Sequence, residues 1–334
     1  MRVALLSSTE FGRRCLEEAV LGAADVEVVG ILTTPQAIPI SYSDEPVRIC
    51  THADFTGPAR RAGCEVVTLT GKVTSDSYRE ALARWRPDLM LALGWYYMVP
   101  RSVREMAPMG CAGIHASLLP KYRGGAPIPW AIIHGEEEAG VSFFYFADGM
   151  DDGDLIGQAA VPIALDDTCA TVYEKATEAA VGLLRALLPQ MARGTAPRLV
   201  QDESRATYVD QRAPQAGHLL WREKSARQAH DWVRAQTRPY PGAFTYLGGE
   251  KVTLWATSLS DRPPRPDAAP GAVAFPVPEA ADAFGVRCAA GGLVLVHEVE
   301  TEADGPMAGA AFAEARGLDD RTILGAASLD AAGP

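Results

Sequence analysis

The densest run of reactive residue types in the chain is Gly113-Ile114-His115-Ala116-Ser117-Leu118-Leu119-Pro120-Lys121-Tyr122-Arg123-Gly124-Gly125-Ala126-Pro127. Its imidazole closes a short apolar stretch and is expected at the carboxyl end of a strand, where ligands bind in open α/β sheets. Standing alone, a histidine at a strand end is most often a satisfied structural residue. Here Asp148, Asp151, Asp152 and Asp154 crowd an Asp/Gly turn at the end of the next candidate strand. An imidazole and a carboxylate from neighbouring strand ends make a usable acid–base pair, in which the carboxylate orients the ring or takes a proton through water. Three of the four aspartates are expected to be turn formers, and spacing does not choose among them.

Gly124-Gly125 between cations and apolar residues suits a phosphate, with Lys121 and Arg123 as the cations. The signal is weak, because the run matches neither G-x-x-x-x-G-K-[ST] nor G-x-G-x-x-G. The first strand is followed by Ser-Ser-Thr-Glu-Phe-Gly rather than a glycine fingerprint, which argues against a nicotinamide or ATP enzyme. His115 and His134 lie 19 residues apart without an H-x-x-x-H pattern or a cysteine partner, so no metal site is expected. Aromatic rings gather nearby. Trp95, Tyr96 and Tyr97 follow Gly94 at a strand end, where they can stack on a flat heterocycle while tyrosine tips hydrogen-bond it. Tyr122 and Trp130 follow His115, and most of Phe143–Phe146 should be core, since alternate strand residues face inward.

The elements that must position these residues are short apolar strands alternating with helical patterns, as in a parallel sheet covered on both faces. Strands are expected at Val3–Ser7, Val26–Leu32, Glu65–Leu69, Leu89–Leu93 and Gly113–His115, with helices at Phe11–Leu21 and Ser75–Trp85 between them. A helix near Ile128–His134 precedes an apolar pair, Val141–Phe146 and Leu155–Ile163. A long helix from Thr171 to Met191, opened by a Thr171-x-x-Glu174 capping box, closes a first domain of residues 1–200. Periodicity fades over Gly194–Asp210, which reads as an exposed linker. A second domain of residues 205–328 follows, with a helix at Ser225–Gln236. Its short strands at Ala243–Leu247, Lys251–Ser258, Gly271–Phe275, Gly285–Ala289 and Leu293–Val299 suggest a small barrel-like α+β domain. Gly248-Gly249 and Gly291-Gly292 suit tight hairpins.

With 334 residues, 48% hydrophobic and 22% charged, the composition is that of a globular protein rather than a disordered one. No apolar stretch reaches the roughly 18 residues needed to span a bilayer, and the N-terminus has too short an apolar run for a signal peptide. Six scattered cysteines without a C-x-x-C pair fit reduced thiols and a cytoplasmic location. The net charge of −11, with −3 over residues 205–334, disfavours a partner held mainly through phosphates.

The run His115-Ala-Ser-Leu-Leu-Pro-Lys-Tyr-Arg-Gly-Gly-Ala-Pro, with Asp151 in Gly-Met-Asp-Asp-Gly-Asp 36 residues after the histidine, resembles the 10-formyltetrahydrofolate-dependent formyltransferases. Arg238-Pro-Tyr-Pro-Gly-Ala-Phe-Thr-Tyr-Leu and Pro306-Met-Ala-Gly-Ala-Ala-Phe are similar to the C-terminal barrel attached to methionyl-tRNA formyltransferase and some relatives. The resemblance implies a Rossmann-like catalytic domain in which His115 and Asp151 are the catalytic pair. It implies that Ser117, Leu118, Leu119 and Pro120 line the folate site, and that Trp95, Tyr97 and Val99 with Phe146, Asp148 and Gly149 wrap the pterin. Tyr122, Arg123 and Trp130 are then candidates to meet the acceptor.

Two departures stand out. The family pattern is Asn-x-His, its Asn helping to hold the developing oxyanion, whereas this chain has Gly113-Ile114-His115; losing one such donor typically costs roughly 2.7–4 kcal/mol. The tRNA-acting members carry a basic loop after the second strand, but residues 35–58 hold Asp44, Glu45 and Asp54 against Arg48 alone. The expected reaction is therefore formyl transfer from 10-formyltetrahydrofolate to a small-molecule amine, without metal and without tRNA or membrane as partner. Methionyl-tRNA formylation, hydrolysis of the donor, and a non-catalytic folate binder are the alternatives. A homodimer is one reading of an oligomeric state the sequence does not fix.

Overall fold

Residues 3–6 and Leu89–Ala92 are continuous apolar runs, buried throughout, as expected of strands covered on both faces. The computed structural model describes residues 1–39, 45–70 and 74–325. They form two compact units, the first made of Met1–Pro127, Glu138–Pro162 and Tyr173–Asp210, the second of Ile128–Glu137, Ile163–Val172 and the chain from Gln211 on.

The first unit is built on β1 (Arg2–Leu6), β2 (Glu27–Thr33), β3 (Glu65–Thr68), β4 (Leu89–Ala92), β5 (Cys111–His115), β6 (Glu138–Tyr145) and β7 (Leu155–Pro162). Their order across the sheet is β7-β6-β5-β4-β1-β2-β3. The five strands from β5 to β3 are parallel, and β6 and β7 add antiparallel at the other edge. The doubly wound, mostly parallel sheet expected from the sequence is therefore present. Helix α1 (Glu10–Cys15) starts at Thr9, whose hydroxyl accepts the Gly12 N–H, and runs on as a π-helical turn through Val20. The second helix, α2 (Thr56–Ala62), was not among the expected elements. Proline is tolerated in a helix's first turn, and Asp54 accepts the Thr56 N–H there. Helix α3 (Ser75–Trp85) matches its expected bounds and buries Tyr78, Leu82 and Trp85 against the sheet. A short α4 (Arg101–Arg104) and α5 (Pro127–Ile133) follow. The long helix α6 (Cys169–Ala192) starts one turn before the expected Thr171-x-x-Glu174 box. Thr168 and Thr171 exchange side-chain and main-chain hydrogen bonds of 3.0 and 3.3 Å, so Thr168 opens the helix.

The second unit has α7 (Ala226–Arg234), with a Ser225/Gln228 capping box, and an antiparallel sheet. Its strands are β8 (Ala243–Leu247), β9 (Glu250–Ser260), β10 (Val273–Ala274), β11 (Phe284–Arg287), β12 (Leu293–Thr301) and β13 (Gly305–Ala308). The order is β8-β9-β12-β11-β10, with β13 also on β12. The β8–β9 hairpin turns at Gly248 and Gly249, both with positive φ, the conformation that a two-residue turn of the primed type requires. Val252, Leu254, Val286, Val294 and Val296 face α7 and α8 (Gly309–Arg316) in one core. Strand β13 and helix α8 escaped the sequence reading, since Gly309-Ala-Ala-Phe-Ala-Glu-Ala-Arg carries a single large apolar residue and no stripe.

Candidate active site

His115 ends β5 with its side chain 11% exposed, and Asp151 lies in the turn after β6 with its side chain 23% exposed. Their nearest atoms, His115 Nδ1 and Asp151 Oδ2, are 3.6 Å apart. On the other side of the ring, Nε2 is 2.7 Å from the main-chain oxygen of Tyr122. A carbonyl only accepts, so Nε2 carries a proton and Nδ1 is the nitrogen turned to the carboxylate. Asp151 Oδ2 in turn accepts the Gly124 N–H at 2.8 Å. Both residues that hold the ring in place have left-handed backbones, Tyr122 with φ 56 and Asp151 with φ 51. Such conformations cost of order 1–3 kcal/mol each and persist where the surroundings fix them. Gly124 has φ +102, and a Cβ there would lie 2.4 Å from the Val209 oxygen, so glycine is required for this close approach.

What fixes these backbones is the segment expected to be an exposed linker. Its strand Tyr208–Val209 pairs with Arg123–Gly124. Thr207 Oγ1 accepts the Tyr122 N–H at 2.8 Å, and the Thr207 N–H donates to Pro120. The buried Gln201 amide donates to the carbonyls of Asp151 and Gly153 at 2.8 and 2.7 Å. Sequence reasoning missed these props, since an aperiodic polar stretch offers no signal for main-chain contacts. Arg123, expected to meet the acceptor, is instead completely buried. Its guanidinium bonds Gln201, Glu203 and the Tyr208 hydroxyl, with its plane near the Tyr208 ring. Burial with three partners makes it a strut of the linker rather than a group facing the site.

The remaining expected residues of the first unit have contacts of their own. Ser117 is buried and donates to the Lys121 carbonyl, while Leu118 packs on Gly140. The Leu119 N–H donates to Ser142 and its side chain joins Phe144 and Leu155. Pro120 follows a cis peptide bond. Trp95 donates from its indole to the Tyr78 hydroxyl at 3.3 Å and meets the Tyr97 ring edge-on at 5.8 Å. Val99 is buried in the core behind them, and Tyr97 donates to the Pro39 carbonyl. Asp148 is paired with Arg104 and Arg101, beside Gly149. Trp130 belongs to the second unit, where its ring carries the Arg212 guanidinium at 4.7 Å and lies 5.4 Å from His134.

Gly113 lies on β5 beside Ala92 of β4 and Phe144 of β6. A Cβ added there would be 2.5 Å from the Ala92 oxygen and 2.8 Å from the Phe146 ring. The Phe146 ring thus covers the place where a side chain at 113 would begin. No group of three or more His, Cys, Asp or Glu side chains among the described residues is arranged to hold a metal ion. No helix among them is long and apolar enough to cross a membrane.

Comparison with known proteins converges on one chemistry. The Formyl transferase family matches residues 1–188, and the Formyl transferase C-terminal domain matches residues 213–317. The methionyl-tRNA formyltransferase of Desulfotalea psychrophila is 30% identical over 328 residues, 97% of this chain and 95% of that protein. The structure of HypX from Aquifex aeolicus in complex with tetrahydrofolic acid is similar with a TM-score of 0.62 at 19% identity. That likeness covers 96% of this chain and 48% of HypX, so the chain spans about half of HypX. An N-formyltransferase from Helicobacter canadensis, solved with folinic acid and dTDP-3-aminofucose, has a TM-score of 0.60 at 15% identity over 88% of this chain and 98% of that one. The two structures share the fold; the two family matches and the Desulfotalea relative show that this chain belongs to the formyl transferase family, as a transferase of one-carbon groups.

Proposed function

We propose that the chain moves the formyl group of 10-formyltetrahydrofolate to the primary amine of a small molecule: a nucleotide-linked amino sugar, an amino acid or a secondary-metabolite amine. The observation that carries the chemistry is the His115–Asp151 pair, fixed by the Tyr122 carbonyl and the Gly124 N–H at the carboxyl end of β5. We assign the stacking of a flat heterocycle to Trp95 and Tyr97, half-buried rings held by Tyr78 and Pro39. When bound, the folate supplies an activated formyl carbon. His115, with Nε2–H held by a carbonyl, presents Nδ1 toward Asp151, so a proton arriving on that nitrogen meets a carboxylate. Asp151 keeps the ring oriented, and an imidazolium formed during transfer offers positive charge to an oxygen that gains negative charge. Ser117–Pro120 and Phe146–Gly149 are the residues we assign to the folate, Tyr122 to the acceptor side. We place the protein in the cytoplasm, in keeping with its free cysteines.

The choice of a small amine is supported by the second unit's cations. Arg222, Lys224, Arg227, Arg234 and Arg238 are clustered in sequence and would be the natural grip for a phosphate backbone. Arg234 is buried and bonds Asp231 at 2.7 Å, which Arg227 also bonds at 2.8 Å. Arg238 pairs with Glu298 and Glu300, and Lys224 lies over the Trp232 ring. Charges so engaged have little left for phosphates, and of the five only Arg222, 78% exposed and 3.9 Å from Glu223, is loosely held. The acidic stretch 35–58 includes Asp44, which lies outside the described residues. The test is a formyl-transfer assay at about 0.15 M salt, comparing charged initiator tRNA with nucleotide-linked amino sugars and free amino acids. Formylation of a small amine is expected; efficient, salt-sensitive formylation of the tRNA would replace this reading with translation initiation.

A further inference from the structure

The face of the second unit's sheet turned away from α7 carries three side chains that formyl transfer does not use. Ser258 of β9 lies opposite Leu295 of β12, and His297, two residues along β12, projects from the same face. Ser258 Oγ and His297 Nε2 are 2.8 Å apart, and His297 Nδ1 is 2.9 Å from Asp282 Oδ2. Asp282 is brought there by the preceding segment, whose Val277 and Ala283 pack on Leu293 and Leu295 across that face. Its main-chain oxygen is held by the Ala310 N–H at 2.9 Å.

The protons of this chain of bonds follow from its ends. The bond from His297 holds the Asp282 carboxyl below the usual carboxylate range, so it acts as an acceptor. Nδ1 then carries the ring proton, Nε2 has a lone pair, and the Ser258 hydroxyl donates to it. A hydroxyl on a base that is itself oriented by a carboxylate is the arrangement that activates a serine nucleophile. Reagents can reach it, because the His297 and Asp282 side chains are 27% and 63% exposed. Glu279, which accepts from Ser260 two residues further along β9, is offset by Arg262 at 3.8 Å, so this pair adds no net charge to attract an ionic reactant.

We infer that Ser258, His297 and Asp282 form a second, nucleophilic centre that accepts acyl groups from small, neutral, activated esters. Ser258 Oγ bonds to the ester carbonyl carbon while its proton passes to His297 Nε2. The carbon–oxygen bond to the leaving group breaks, and that oxygen takes the proton from Nε2 as the alcohol departs. Water, giving a proton to the same nitrogen, then releases the acid and restores the serine. This centre is independent of the formyl-transfer reading, which can fail without touching it.

The full-length chain is treated with a neutral fluorophosphonate, whose phosphorus bonds to Oγ as fluoride leaves with the proton, and separately with p-nitrophenyl acetate. We expect one adduct, mapped to Ser258 by peptide mass spectrometry and forming about 10²-fold faster than in the denatured chain, the usual yield of a positioned base. Ser258→Ala should abolish it, and His297→Gln should return the rate to the denatured level. Asp282→Asn should slow it about 10-fold or more by letting the ring take the wrong tautomer, and serves as the comparison if His297→Gln does not fold. No adduct at Ser258, or an adduct formed equally fast in the folded His297 or Asp282 variant, overturns the inference and leaves a hydrogen-bonded staple.

Discussion

Replacing Gln201 by Met tests whether the linker holds the active site in shape. The methionine keeps the length and apolar bulk of the side chain, which is buried, and removes its amide. Lost with it are two donors to the carbonyls of Asp151 and Gly153, and an acceptor that Arg123 reaches at 2.8 and 3.3 Å. A hydrogen bond to a charged group contributes about 1.5–3 kcal/mol and each orphaned buried group costs about 1–3 kcal/mol. Arg123 retains Glu203 and Tyr208, so its charge is not stranded. The expected destabilisation of the first unit is about 3–5 kcal/mol, or a fall in Tm of roughly 6–20 °C at about 2–4 °C per kcal/mol. Activity should fall further than stability alone explains. Without the Gln201 donor, the left-handed turn at Asp151 can relax, and a displacement of about 1 Å in a reacting group can cost about 10²-fold. Denaturant unfolding and single-turnover formyl transfer, both measured well below the variant's Tm, separate the two effects. A change under about 1 kcal/mol together with a normal turnover rate would refute the reasoning, and the linker would be a passive connection.

His115→Ala and Asp151→Ala should each lower the single-turnover rate by at least about 10²-fold with circular dichroism unchanged. A near-normal rate in either removes that residue from the reaction. Gly113→Asn, which restores the amide found in the family pattern, should destabilise the chain by about 1–3 kcal/mol and not raise the rate, because its Cβ meets the Ala92 oxygen and the Phe146 ring. A faster enzyme would show that the Phe146 ring yields readily. His230 and His218 have pKa values lowered chiefly by burial, with nearby arginines adding to the effect. The unfolded chain therefore binds protons that the folded one refuses, so stability is complete above about pH 6.5 and falls as pH drops below it toward the lowered values. Urea midpoints of the wild type and of His230→Gln from about pH 7.5 to 5 should converge on acidification; parallel curves would show that His230 is not responsible.

The parallel sheet was legible because each strand needs apolar residues on both faces, and Leu89–Leu93 or Val26–Leu32 leave no other reading. Helix α3 was legible to the residue, since Thr74 and Ser77 cap it and Pro87 stops the chain after Arg86. Elements whose shape comes from neighbours were not. Helix α8 has no stripe of its own; Phe312 and the small Ala313 anchor it in the core of the second unit. Thr171 looked like a cap because Glu174 follows at the right spacing, yet Thr168 had an equally good partner in Thr171 itself, and Glu174 is taken by Arg14.

The site divides along the same line. His115 and a group of four aspartates were readable from residue type and position at strand ends, but only the resemblance to the formyltransferases picked out Asp151, which lies 3.6 Å from the ring. Their geometry depends on main-chain groups that any residue supplies, namely the Tyr122 carbonyl and the Gly124 N–H. Those groups are aimed by two left-handed residues, which are held by Gln201 and Thr207, while Val209 pairs with Gly124 between them, all from a stretch without pattern. Arg123 shows how residue type misleads when this layer is invisible: an arginine beside two glycines suggests phosphate, but its burial among Gln201, Glu203 and Tyr208 makes it part of the frame. Gly113 shows the converse. Its difference from the family pattern is plain in the sequence, yet only the Ala92 oxygen beside it and the Phe146 ring above it explain why simple restoration of the missing side chain would not restore its contact. The two positions have to be considered as a pair, because a side chain at 113 needs room that the ring at 146 now fills.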